Sequence, residues 1–357
     1  MPEQQYEQYW KITLEYSDIN GVGFINTLKI IVDFIDKNGN KPYSPALYKT
    51  LQNIVYETFP KTDMGSVRKS INQFVKLGFI NYQLKSYHLS TKEFLEARTS
   101  RKRRSIFSKI VYSNSSFNRS VTNDSQQREI NFLIKTLTEV GKLHEKDIMA
   151  LMTIGDLSKI GNGFLNIEDL LRVRSHAEYI GFWNRKYNQL SYLLNIVNQL
   201  DDLCIKDHYL YFEDDAQVLF DFNVSKDGGR DQYLHRIYKN QLKDESANKL
   251  GIVECMLEKM PYPILIASHI KPFAKASEEE SYDPNNGLLL SQNMDGLFDK
   301  GYISFNDDGS IIISELLDPR LREHLRGYHL DDIFLRQERR KYLIYHRELF
   351  KEKLRAV

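Results

Sequence analysis

The sequence predicts an α+β protein in three blocks. Three observations carry that expectation. Apolar residues recur at helical spacing through most of the first two blocks. Each run of helices leads into a short stretch of strand composition with a turn. The last block changes character, with compact apolar runs punctuated by His, Asn and Asp. At 357 residues the chain is long enough for two or three separate cores.

The first block runs to about Val111. Thr27 to Ile35 and Leu47 to Phe59 carry helical stripes. Thr62-Asp63 can cap a third helix, Met64 to Leu77, with Val67, Ile71, Phe74, Val75 and Leu77 on one side and Gly78 placed to stop it. Phe79 to Ser90 reads as two short strands turning near Lys85-Ser86, and another helix runs from Thr91 into an arginine cluster. Three helices and a two-stranded wing is the order of a winged helix-turn-helix, whose third helix enters the DNA major groove. Its remaining residues, Ser66, Arg68, Lys69, Asn72, Gln73 and Lys76, are then candidate DNA contacts.

Tyr112 to Ser120 is a linker by composition. In the second block, Ile130 to Val140, Glu145 to Met152, Ile167 to Gly181 (capped by Asn166) and Asn188 to Leu200 read as helices, and Leu203 to Phe212 as a hairpin. This suggests a second winged-helix-like unit, although helical stripes before a hairpin also occur in α+β domains that never meet DNA. Asn223 to Arg230 reads as a turn-rich boundary. The expected domains are 1–115, 120–225 and 226–357.

Composition narrows the classes. Hydrophobic residues at 41% and charged residues at 27% argue against disorder. No apolar run approaches membrane-spanning length, and Met1 to Gln5 has no basic segment ahead of an apolar one, so a cytoplasmic protein without membrane partners is expected. Cys204 and Cys255 lack zinc-site spacing and are too few for a disulfide framework. Net charge is +1, so indiscriminate coating of nucleic acid is not expected. Basic residues do cluster locally at Arg98, Arg101, Lys102, Arg103 and Arg104, and acidic ones at Glu213 to Asp215 and Glu278 to Glu280. Arg101, Arg103 and Arg104 are candidate DNA contacts on that basis; a solvated linker would read the same way. Nothing resembles a P-loop, and no organic cofactor is expected.

The chemistry concentrates in the third block. Ile264 to Ile270 reads as a buried strand ending on His269, with Pro272 closing it. Leu288 to Leu290 supplies a second strand after the turn-forming pair Asn286-Gly287. A helix from about Gln292 to Asp299 follows, with Asp295 and Asp299 four residues apart and so on one face, one turn apart. Two aligned carboxylates without thiolates call for a hard divalent ion, Mg²⁺ or Mn²⁺.

These pieces resemble the HNH (His-Asn-His) endonuclease family. The resemblance rests on Ala267-Ser268-His269-Ile270-Lys271-Pro272, on Asn286-Gly287-Leu288-Leu289-Leu290 and on Asp295-Gly296-Leu297-Phe298-Asp299. It extends to Tyr302 to Phe305, Gly309 to Ser314 and Tyr342 to Arg347. It implies a ββα-metal fold that cuts DNA phosphodiesters with one divalent metal per chain. His269 would be the general base, Asn286 would fix the loop and orient that base, and Asp295 and Asp299 would hold the metal. Ser268 stands where the family often carries a ligating Asp or His, and is a candidate ligand. Lys271 is a candidate phosphate contact; His346 and Arg347 are expected to pack or to touch phosphate. With the N-terminal blocks, this points to a restriction endonuclease, of ordinary type II or dependent on a methylated base. One metal site per chain then implies a homodimer on double-stranded DNA. The rivals are a DNA-binding regulator carrying a degenerate HNH fold and a non-specific toxin-like nuclease.

Overall fold

The computed structural model describes residues 8–39, 41–213 and 231–355. The chain divides into two compact units, Met1–Gly228 and Gly229–Val357. Both expected N-terminal domains thus fall within one unit, and the turn-rich boundary expected at 223–230 lies outside the described residues.

The first unit opens with helices α1 (Val22–Asn38), α2 (Pro45–Thr58) and α3 (Met64–Lys76). Ser44 and Asp63 cap α2 and α3 by accepting the Leu47 and Ser66 N–H groups. Gly78, at φ +86°, ends α3 against the Asn114 backbone, where a Cβ would have no room. Phe24, Phe74, Phe79, Phe94 and Phe107 fill the core between these helices, with edge-on pairs such as Phe24–Phe74 at 4.8 Å.

Three expectations need correction. The stretch 79–90 forms a single bridge, Ile80 to Tyr87, around a 3₁₀ turn at Tyr82–Leu84, not two strands turning at Lys85. Gln83 and Leu84 take positive φ, which tightens the turn and leaves no length for a ladder. The following helix is two helices, α4 (Thr91–Glu96) and α5 (Ser100–Asn114), because Ala97 is extended and Thr99 caps a new start. The linker expected at 112–120 is packed structure. Tyr112 belongs to α5, Ser115, Ser116 and Phe117 are buried, and the Ser116 N–H donates to Lys76 O at 2.7 Å.

The rest of this unit runs α6 (Glu129–Val140), β1 (Leu143–His144), α7 (Glu145–Leu151), α8 (Ile167–Tyr179), α9 (Phe182–Val197), β2 (Leu203–Lys206) and β3 (Tyr209–Phe212). Asn166 caps α8 as expected, and α9 begins six residues before the expected Asn188, behind a left-handed Gly181. The strands form one antiparallel sheet in the order β1-β3-β2.

In the second unit, Asp231 caps α10 (Gln232–Leu250) through the Tyr233 and Leu234 N–H groups. Then come β4 (Leu265–His269), α11 (Glu278–Ser281), β5 (Gly287–Ser291) and α12 (Gln292–Asp299). A hairpin of β6 (Ile303–Phe305) and β7 (Ile311–Ile313), then α13 (Pro319–Leu325) and α14 (Gln337–Arg355), complete it. β4 and β5 pair antiparallel, with His269 opposite Gly287 and Leu265 opposite Ser291. Ser291 caps α12 directly off β5, so strand, strand and helix form one ββα unit. Among the described residues, no helix is long and apolar enough to cross a membrane.

Candidate active site

His269 ends β4, half-buried, with its ring parallel to that of Tyr238 on α10 at 4.7 Å and 16°. His235 on the same helix lies parallel at 6.1 Å, and Phe273 meets the ring edge-on at 5.9 Å. The His269 Nε2 is 2.9 Å from Ser281 O. A carbonyl only accepts, so Nε2 carries the hydrogen and the Nδ1 lone pair is the ring's proton acceptor. The geometry thus selects the tautomer that a general base requires.

The loop between the two strands is closed by Asn286, which is fully buried. Its Oδ1 accepts the Lys271 N–H at 2.7 Å, and its Nδ2 donates to Lys271 O at 3.2 Å and Glu280 O at 3.0 Å. One carboxamide therefore ties both ends of the loop together beside the carbonyl that orients His269. Local sequence explains the rest. Ser277 and Glu280 make a reciprocal cap, and Asp283 turns the chain into Pro284–Asn286 by accepting the Asn285 N–H. The Asn286-Gly287 pair is not itself the turn: Gly287 is extended (φ −147°), and its missing side chain admits Tyr238, whose Oη would lie 2.0 Å from a Cβ. That hydroxyl donates to Asn286 O at 3.1 Å, with Ser268 O at 3.4 Å.

Lys271 is drawn into the same loop. Its Nζ lies 2.6 Å from Glu280 Oε2, and the ammonium sits over the Tyr345 ring at 5.4 Å. Lys271 and the Ser277 N–H together hold the Glu280 carboxyl below its ordinary range. The candidate phosphate contact thus lies in an intraloop ion pair.

His269 shares a cavity of about 100 Å³ with Asp299, Lys300 and His346. Asp299 is exposed at the end of α12; Asp295, one turn earlier, is half-buried and does not line that cavity. Ser268 alternates with His269 along β4 and so points to the opposite face of the strand pair. Its hydroxyl is buried without a hydrogen-bond partner. Among the described residues no three His, Cys, Asp or Glu side chains converge as a metal cluster. Asp295 and Asp299, one turn apart on α12, offer two carboxylates of the kind a hard ion takes, with water and substrate filling its remaining positions.

His346 is structural. Its Nε2 lies 3.1 Å from Phe298 O, its Nδ1 2.9 Å from Ser304 Oγ, and its ring stacks on Phe298 at 3.9 Å. Burial pushes its pKa down to about 4, so it is neutral near pH 7. Arg347 donates to Phe305 O at 2.9 Å and pairs with Asp307 at 2.7 Å, which makes it a packing residue also. Sequence reasoning missed the fully buried Arg339 of α14. It forms a two-point ion pair with Glu245 of α10 (2.7 and 3.1 Å) and donates to Pro284 O and Phe334 O. It also missed Tyr238, Ser281 and Glu280. The capping pattern Ser277-x-x-Glu280 was a readable signal; the others act through contacts distant in sequence.

The candidate DNA contacts in the first unit scatter. On α3, Arg68 and Lys69 are exposed. Gln73 is buried, accepting the Glu15 and Tyr16 N–H groups and donating to Tyr16 O. Asn72 accepts the Val121 N–H. Lys76 donates to Lys11 O and Phe117 O, and burial pushes its pKa down to about 8. For these three the expected base contacts become contacts within the chain, because α3 is covered by the N-terminal segment and by the packed stretch after α5. Arg103 donates to Asn20 and Ala97 O, and Arg104 to Leu200 O and Asn198 O, while Arg101 is exposed.

No curated protein matches the chain. Residues 255–306 match the family model described as HNH endonuclease, a span that holds β4, β5, α12 and β6. With His269 and Asn286 arranged as above, this segment of the second unit is similar to the HNH endonucleases.

Proposed function

We propose that the chain is a sequence-specific, restriction-type endonuclease that hydrolyses double-stranded DNA, either unconditionally or at sites with a methylated base. The observation that carries this reading is the His269 Nε2–Ser281 O contact, locked by the Asn286 carboxamide. It presents an oriented imidazole whose Nδ1 would take a proton from the attacking water. Asn286 holds the loop, and Tyr238 backs the ring and braces the Asn286 carbonyl. Asp295 and Asp299, with Ser268 as a candidate donor through water, would hold one Mg²⁺ or Mn²⁺, which when bound supplies positive charge for the phosphate oxygens. The helices and the β1-β3-β2 sheet of the first unit support a winged-helix recognition role, since a hairpin follows the last helix and its second strand, β3, also pairs with the earlier β1. A cytoplasmic homodimer on DNA completes the reading.

The test is plasmid cleavage with Mg²⁺ or Mn²⁺, using DNA from methylating and non-methylating hosts. The wild type is expected to give discrete fragments, and His269→Ala to cut about 10²–10⁴-fold more slowly. A smear would overturn sequence specificity. A second reading, a DNA-binding regulator with a degenerate HNH fold, is favoured by Ser268 in the ligand position and by the lack of a three-ligand cluster among the described residues. DNA binding without cleavage under any divalent metal would establish it.

A further inference from the structure

Helix α9 carries a surface to which no role has been assigned. After a kink at Lys186 (φ −127°, ψ 22°), Asn188, Ser191, Asn195 and the C-capping Asn198 follow one another at intervals of three or four, and all four are exposed. That spacing sets them along one face. Asn ranks low among helix formers, and a helix face turned only to water is ordinarily built from longer, charged residues. A stripe of amides lowers helix propensity and returns no core packing. The helix contains no Asp or Glu; its charged residues are Arg185 and Lys186. Tyr187, 65% exposed, and Tyr192 flank the stripe.

The surroundings agree with a ligand-facing surface. A groove of about 480 Å³ runs along this face, lined by Ser191, Asn195 and Asn198 with Leu190, Leu194 and Glu145. The Glu145 carboxylate is engaged by His208 at 3.1 Å. α9 leads directly into the β2–β3 hairpin, the position of a recognition helix. On α3, by contrast, Asn72, Gln73 and Lys76 are spent inside the fold.

We infer that α9, not α3, reads base pairs, with the Asn188–Ser191–Asn195 face set into the major groove of duplex DNA. The inference rests on the reading of the chain as a DNA-cleaving enzyme. A carboxamide pairs bidentately with adenine N6 and N7, a serine hydroxyl serves either donor or acceptor edges, and flanking aromatic carbon suits the thymine methyl. Asn195 gives one N–H to Ser191 O at 2.8 Å, which leaves its second N–H and its Oδ1 for such a pair. The absence of carboxylates from α9 removes repulsion from phosphates.

The experiment is selection of bound sequences from a random duplex pool by the full chain carrying His269→Ala, which silences cutting. This parent is expected to enrich a motif containing A·T pairs. Asn188→Ala, Ser191→Ala and Asn195→Ala, singly and together, should each weaken the preference at particular base pairs by about 5- to 150-fold. Arg68→Ala with Lys69→Ala should lower binding to all sequences alike and keep the motif. An unchanged motif in the triple variant, or no motif in the parent, overturns the inference. So does a triple variant that keeps the motif but loses self-association in sedimentation, which would make the face a contact between copies. Wild-type cleavage separates the two failures. Discrete fragments with an unchanged motif sink only the assignment to α9; uncut DNA with a motif that α9 controls sinks only the nuclease reading.

Discussion

Ser268 is a buried hydroxyl with no partner, and such a group costs about 1–3 kcal/mol unless something answers it. If that something is the divalent ion, Ser268→Ala should leave the metal-free protein as stable or more stable. It should also raise the Mg²⁺ concentration for half-maximal cleavage by about tenfold. A gain in stability with an unchanged metal response would make Ser268 a packing residue. His346 permits a pH prediction. Its folded pKa, about 4, lies below the ordinary value of 6.5, so the unfolded chain binds the extra proton first as pH falls. Stability from this group is therefore fully present above about pH 6.5 and is lost as pH drops towards 4, by up to about 3 kcal/mol. Hydrogen exchange of β4 and β5 at pH 7 and pH 5 would read it, and the pH effect should shrink in His346→Gln. The same residue marks a limit of sequence reading. A histidine near the C-terminus could pack or touch phosphate, and only its contacts with Phe298 and Ser304, more than 40 positions away, decide for packing.

At the scale of elements, the strand pair and the helix after it were legible almost to the residue. Ile264 to Ile270, Leu288 to Leu290 and Gln292 to Asp299 were expected, and β4, β5 and α12 lie within one or two positions of them. Apolar runs bounded by Pro, turn residues and a Ser cap suffice for that. The supports were not legible, because α10 and α14 reach the site through single long-range contacts. Arg339 is the clearest case, since a fully buried guanidinium is held by Glu245 and two carbonyls while it braces the turn before Asn286. Arg339→Met should cost about 3 kcal/mol, as it removes a fully buried guanidinium and its hydrogen bonds and leaves the part-buried Glu245 carboxylate with Arg336, at 3.6 Å, as its ion-pair partner. Pairing it with Glu245→Leu should recover much of the loss. A denaturant titration of both variants would check this, and equal losses in the two would show that the ion pair itself is not the source. The first unit teaches the complementary lesson. Helical periodicity found α1, α2 and α3 but could not tell that the apparent linker would cover the polar face of α3.

At the scale of the molecule, the proposed histidine and carboxylate pair of one chain would serve one strand of a duplex, so that on this proposal cutting both strands would call for two chains. Equilibrium sedimentation with and without cognate duplex is expected to show a dimer in at least the DNA-bound state; monomers under both conditions would contradict it. The chain divides into two units, Met1–Gly228 and Gly229–Val357, where three domains were expected. Helix order alone does not reveal how much surface two helical groups will share. The bracing by α10 and α14 bears on a practical matter. The family match covers residues 255–306, yet the arginine, tyrosine and glutamate that hold its central turn come from positions 245 and below or 339 and above. Anyone grafting this cutting head onto another DNA-targeting protein should therefore place the splice ahead of Asp231 and carry the chain through α14. A cassette trimmed to the family signature would leave Tyr238, Glu245 and Arg339 behind, and its His269 would lose the scaffold that aims it.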